Sequence, residues 1–218
     1  MTTRTLTAAA VLVAASAMLL TACGGGNTSP DAIKGAETGN PTSGTPSGPA
    51  TTGAPRGAGA PDFALPSDVK VQLEGFTNSD PDKGPVLRDT SYAITAILEA
   101  EVKGSGNTPN FTRFWTGLKG AEYADTLNKW AKSGMSVTGT YHYYEPAVRV
   151  ANGTATVTYC EDQRKGYAKV RKTGQVKVTT PSAKDFTQWS LGLAKAENGE
   201  WHVVDYKTLQ GAKACQVG

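Results

Sequence analysis

Three kinds of residue in this chain could do chemistry: cysteines, histidines and clustered charges. The cysteines are Cys23, Cys160 and Cys215, with no C-x-x-C spacing to suggest a metal or redox pair. His142 stands among Tyr141, Tyr143 and Tyr144, and His202 lies near the C-terminus. An imidazole beside a carboxylate or phenol exchanges protons near neutral pH, but neither histidine has a partner at motif spacing. On a strand, His142 and Tyr144 share one face and Tyr141 and Tyr143 the other, so one of these sets is expected to pack under helices. Asn78, Asp80 and Asp82, with Asp89 beyond them, imitate a calcium loop. Lys83 takes the place where such a loop needs Gly, and Asp89 is shorter than the bidentate Glu that closes one. The cluster reads instead as a turn that caps the next helix. No nucleophilic-serine, phosphate-loop, dinucleotide or zinc motif is present, so no cofactor and no metal is expected.

Charge is concentrated in one place. Arg164, Lys165, Lys169, Arg171, Lys172, Lys177 and Lys184 follow one another with no acidic residue among them. Such a run could touch anionic headgroups or an anionic envelope polymer, each charge near a membrane surface contributing about 1 kcal/mol. It also suits a solvated hairpin whose lysines discourage edge pairing. A net charge of +3 over 218 residues is too mild to imply nucleic acid.

The N-terminus supplies a context for the odd cysteine. Arg4 precedes an apolar run from Ala8 to Leu20, which as a helix rises only ~20 Å, short of the ~30 Å hydrocarbon core. This is the length of a signal-peptide core rather than of a permanent span. The run ends in Leu20-Thr21-Ala22-Cys23, which resembles the bacterial lipobox. The resemblance implies lipid transfer to the Cys23 sulfur, cleavage before it, and an N-terminus held at the outer face of a plasma membrane. Each buried methylene of the lipid contributes about 0.8 kcal/mol, and two or more chains anchor stably. Cys160 and Cys215 then remain, and paired thiols outside the membrane oxidise to a disulfide.

Residues 1–22 thus form the signal peptide. Residues 23–61 are mostly Gly, Ala, Ser, Thr and Pro, which bury too little apolar surface to offset the entropy of ordering. They read as a spacer, and residues 62–218 as one domain. Val69, Val71 and Leu73 alternate with polar residues as in a half-buried strand. Leu87, Ile94, Ile97 and Leu98 recur at helical spacing, predicting a helix over 86–103 closed by Gly104. A short helix is expected at 111–116, and a third along Tyr123, Leu127 and Trp130, ending at Gly134. Beyond Gly134 the period changes to two. Strands are predicted at 137–150 and 154–160 about an Asn152-Gly153 turn. A small hairpin about Lys172-Thr173-Gly174, then strands at 186–196 and 201–209, complete an antiparallel meander. Helices before strands argue an α+β fold, with helices on one face of a curved sheet.

Tyr143-Tyr144, the stretch Val157-Thr158-Tyr159-Cys160-Glu161-Asp162-Gln163, Lys172-Thr173-Gly174 and Cys215 carry a resemblance over roughly residues 68–216. They resemble the NTF2-like (cystatin-like) superfamily and, more narrowly, lipoproteins of high-GC Gram-positive bacteria of the Streptomyces type. The resemblance implies a conical space between helices and sheet, and carries over no catalytic residue. The strand at 68–75 is additional to the superfamily's helix-first order.

Three roles fit these readings. The first expectation is a non-enzymatic binding or scaffold module tethered to the membrane, with an envelope protein or an anionic polymer as partner. The second is a carrier of a small apolar ligand in the cone, and the third an enzyme of isomerase or dehydratase type. Their interiors differ: a scaffold has a filled core, a carrier an apolar cavity, and an enzyme a roomy cavity where a buried carboxylate or His faces a Tyr.

Overall fold

One short strand precedes three helices, and the remaining strands follow them, with the change at Gly134 that the shift in period predicts. The computed structural model describes residues 59–216. The signal peptide, Cys23 and all of the spacer up to residue 58 lie outside the described residues.

The first strand, β1 (Val69–Leu73), alternates buried Val69, Val71 and Leu73 with more exposed Lys70 and Gln72. The chain then turns through Asn78-Ser79-Asp80. The Asn78 side chain accepts from Asp80 N at 2.8 Å, and Asp80 accepts from Asp82 N and Lys83 N at 2.9 and 3.0 Å. These bonds engage the first free amides of α1 (Lys83–Lys103), so the would-be calcium loop is a helix start. No cluster of metal-binding side chains occurs among the described residues. α1 ends where Gly104 adopts φ 74° and donates its N–H to Ala100 O. Arg171 reaches the same end, its guanidinium donating to the carbonyls of Val102, at 2.7 Å, and Glu101. A cation at the carbonyl end of a helix opposes the negative pole there.

The second helix, α2 (Pro109–Phe114), starts two residues before its predicted position. Thr108 caps it through Phe111 N, and Pro109 fits the first helical position. α3 (Gly117–Lys132) begins earlier than its apolar stripe shows.

Two long strands follow, β2 (Met135–Ala151) and β3 (Thr154–Val170), antiparallel about Asn152-Gly153, both at positive φ. β3 runs ten residues past the predicted end at Cys160. The expected second hairpin shrinks to β4 (Val176–Lys177) against Ala168 and Lys169. β5 (Phe186–Lys195) and β6 (Trp201–Gln210) complete the sheet. Its order is β1-β2-β3-β5-β6, with β4 beside the far end of β3. The sheet is not wholly antiparallel as expected: β1 pairs parallel with β2. The three helices between these strands carry the chain back to the starting end, as a crossover does. Register shifts at Thr140/His142, Tyr144/Ala147 and Gly192/Leu193 curve the sheet.

The helices cover one face. Ile94 and Leu98 of α1, Phe111 and Phe114 of α2, and Val157, Leu191, Leu193 and Val203 of the sheet are fully buried together. A smaller cluster of Tyr144, Cys160, Phe186, Ala212 and Cys215 forms apart from that core. There the disulfide joins Cys160 to Cys215, with Cα atoms 5.4 Å apart, and the Tyr144 hydroxyl donates to the Cys215 carbonyl. Among the described residues no helix is long and apolar enough to cross a membrane.

Candidate functional site

Between α1, α3 and the concave sheet lies a cavity of about 390 Å³, within the size range of small-molecule sites. Ile97 and Leu98 of α1 and Val137 of β2 supply its apolar wall. Tyr123 and Trp130 of α3, Tyr141 and Tyr143 of β2, Tyr159 of β3 and Trp189 of β5 supply rings. Two carboxyl groups enter this lining, Glu101 from α1 and Glu161 from β3. At the exposed rim stand Lys177 and Thr179, with half-buried Asp185.

The elements explain why acids point inward. Glu101 lies three residues after Leu98 and four after Ile97, on the buried stripe of α1. Glu161 lies two after Tyr159 and four after Val157, on the concave face of β3. Gly166, also on the wall, makes room for a ring: a Cβ there would sit 2.7 Å from Tyr141.

Glu161 is held. Trp189 Nε1 donates to its Oε2 at 2.7 Å, and Tyr143, its neighbour across the β2–β3 ladder, and Gln163 bond the same carboxyl. Burial raises its pKa above the ordinary carboxylate value, and these three bonds pull it back only in part. Glu101 is different. It is half-buried and lines the cavity. Burial first, and then the Glu161 charge, push its pKa up to about 8, and no described side chain bonds it. Burial also lifts Tyr123, Tyr141, Tyr143 and Tyr159 well above the ordinary phenol value, so all four are neutral hydroxyls at physiological pH. Within this lining the Tyr159 hydroxyl and the Trp130 indole N–H have no hydrogen-bond partner.

The other buried acids are satisfied. Glu99 accepts from Lys103 at 2.7 Å, Ala64 N at 3.0 Å and Asn110 at 2.8 Å. Asp89 accepts from Arg88 and from Trp201 N, both at 2.8 Å.

Of the residues singled out from sequence, Tyr141 and Tyr143 are the pair that packs under the helices. His142 stacks on Tyr144, ring centroids 5.0 Å apart, and meets Glu74 at 3.0 Å, away from the cavity. His202 meets Glu200 at 3.4 Å and the edge of Phe114. The basic run divides. Arg164 grips Asp162 through several bonds and lies over the Phe186 ring, Lys169 pairs with Asp68 at 2.6 Å, and Arg171 is spent on α1. Lys177 donates to Gln175 at 3.1 Å. Lys165, Lys172 and Lys184 are exposed. Glu101 was not singled out, and Glu161 entered only within the stretch that carries the resemblance, with no role assigned. The signal for both was an acid at a position where the helical or strand period calls for an apolar residue.

Helices over a curved sheet, enclosing an acidic and aromatic cone, define an α+β domain with an internal pocket. No protein-family model matches the chain, and no curated protein matches it. Among similar solved structures is an NTF2-like superfamily protein of Salmonella enterica serovar Typhimurium, 15% identical with a TM-score of 0.40, over 57% of this chain and 90% of that one. Another is the Kfla4162 protein of Kribbella flavida, 10% identical with a TM-score of 0.42, over 62% and 94%. A third is a ketosteroid isomerase-like protein of Erwinia carotovora atroseptica, 20% identical with a TM-score of 0.38, over 56% and 92%.

Proposed function

We propose that the domain is a small-molecule binding module held at the outer face of a membrane by lipid on Cys23, with the cone as its binding site. One observation carries this reading: polar groups without protein partners line a cavity of ligand size. A buried unmet donor or acceptor costs about 1–3 kcal/mol, and interiors otherwise pack to crystal-like density. A ligand that bonds Tyr159, Trp130 and Glu101 removes that cost.

The test is a titration of the full chain with the neutral, environment-sensitive dye prodan. Binding at one site is expected, with loss in Ala168→Trp, which fills the wall. Equal binding by that variant, or none by either, defeats the reading. The anchor has its own test. Cys23→Ser is expected to move the protein from the membrane fraction to the soluble one. Unchanged retention would show that something other than lipid holds it.

A second reading has one specific support. A carboxyl with a pKa near 8 exchanges protons at neutral pH, so Glu101 suits a general acid or base for a bound substrate, with the neighbouring phenols as donors. Turnover would then follow a pH profile that Glu101→Gln abolishes, whereas a carrier shows binding alone.

A further inference from the structure

Among the described residues, the carboxyl groups inside the cone have no basic side chain beside them. Glu101 and Glu161 line its interior and Asp185 its rim. The cation in this lining, Lys177, is exposed and donates to Gln175. By contrast, buried Glu99 and Asp89 each hold a lysine or an arginine. Burying two acids without a counter-ion is expensive, and a fold that needed only to fill space would use apolar side chains there.

The rings point the same way. Trp189 stacks on Tyr159, planes 8° apart and centroids 6.1 Å apart. Tyr143 and Tyr123 stand near-perpendicular to this pair, at 6.0 Å from Tyr159 and 6.1 Å from Trp189 respectively. Aromatic faces attract cations, and a ring set beside carboxylates is how ammonium groups are recognised. Independently, Tyr159 is 2% exposed and its buried hydroxyl has no partner. Trp130 Nε1 is likewise unmet and can only donate, so it calls for an oxygen on the ligand.

We propose that the cone holds an organic cation, an amine or quaternary ammonium compound carrying an oxygen acceptor, with Glu101 and Glu161 as counter-ions within the aromatic wall. This rests on the cone being a binding site. It goes beyond that reading by fixing the sign of the ligand's charge.

Protons follow from the same geometry. In the free protein at pH 7, Glu101 is mostly protonated. A cation favours the carboxylate, so binding releases a proton and tightens as pH rises from 6 to 8. The titratable groups that line the cavity with Glu101 are Glu161, Tyr123, Tyr141, Tyr143, Tyr159 and Tyr167, with Asp185 and Lys177 at the rim, and Arg171 donates to the Glu101 carbonyl. Burial keeps Tyr123, Tyr141, Tyr143 and Tyr159 neutral throughout that range.

The test compares acetylcholine with 3,3-dimethylbutyl acetate, which has the same shape and oxygens but no charge. Displacement of prodan from the full chain is read at pH 6, 7 and 8, with calorimetry in two buffers of different ionisation heat. Acetylcholine is expected to bind at least tenfold more tightly than its isostere, with proton release at pH 7. Glu101→Gln and Glu161→Gln, each checked for native circular dichroism, should each reduce that preference at least fivefold. Equal or tighter binding of the isostere overturns the proposal, as does a preference that survives both substitutions. If prodan binds and acetylcholine does not displace it, the pocket stands and the cation is refuted. If prodan itself fails to bind, both readings fall.

Discussion

Trp189 donates its indole N–H to Glu161 Oε2 at 2.7 Å, across the β3–β5 pairing that stacks the same indole on Tyr159. One side chain therefore orients an acid and forms a wall of the cavity. Trp189→Phe keeps a ring and removes the donor. It should cost about 1–3 kcal/mol, as expected when a buried carboxyl loses a bond, and raise the Glu161 pKa further. Carboxyl carbon shifts measured by NMR against pH read this directly. A Glu161 midpoint that stays put would show that Tyr143 and Gln163 hold the carboxyl unaided.

Glu101 makes the opposite kind of prediction, a substitution that stabilises. Its pKa is about 8 in the folded protein against about 4.3 unfolded. The unfolded chain therefore loses the proton first. The resulting cost to the fold is absent below pH 4, grows between the two values and is complete above 8. Glu101→Gln should leave stability nearly unchanged at pH 4 and raise it by about 1–3 kcal/mol at pH 8.5, smaller than the full shift implies because the cavity admits water. Denaturant unfolding at the two pH values checks this. A variant less stable at pH 8.5 would mean that the ionised carboxylate has a partner. Retention of such a costly group fits a site shaped for function rather than stability.

How far the sequence discloses this molecule depends on periodicity. Ile94, Ile97 and Leu98 marked α1 because helical spacing is local, and Asn152-Gly153 marked the main hairpin because its turn needs residues at ease with positive φ. The parallel placing of β1 on β2 is set by a crossover through three helices, which no local pattern encodes. The extension of β3 past Cys160 was hidden by Glu161, Asp162 and Gln163, polar residues that break the alternation of a half-buried strand. The same cause hid the site. Inward acids look like exposed ones until the sheet shows which face they occupy. Sequence clustering, in turn, overstated the basic run, since Arg164, Lys169 and Arg171 are committed to Asp162, Asp68 and helix carbonyls.

Glu200 should set part of the acid limit of the fold. Its bonds to Arg113, with help from Asn198 and His202, lower its pKa to about 2 against desolvation. A depressed carboxylate contributes stability above its unfolded pKa and loses it as pH falls from about 4.3 to about 2. The pair is partly exposed, so solvent screening reduces its worth to about 1–2 kcal/mol. Glu200→Gln should lose that amount at pH 7 and match the unsubstituted protein near pH 2. A constant deficit across this range would assign the loss to packing against α2 rather than to charge.

The Cys160–Cys215 bond closes a separation of 55 residues, for which the chain-entropy model gives about 4 kcal/mol. It also holds Tyr144, Phe186 and Ala212 together, while the cone is built on Tyr143, Tyr159 and Trp189. Adjacent positions on a strand face opposite sides, so Tyr144 and Cys160 turn away from the cavity that Tyr143 and Tyr159 line. Replacing both cysteines by serine should therefore lower the melting temperature by on the order of 10 °C and leave prodan affinity within twofold at 20 °C. Hydrogen exchange should quicken at residues 211–216 and stay slow along α1. A lost binding site at a temperature where the variant is still folded would show instead that the bond shapes the cone through β3.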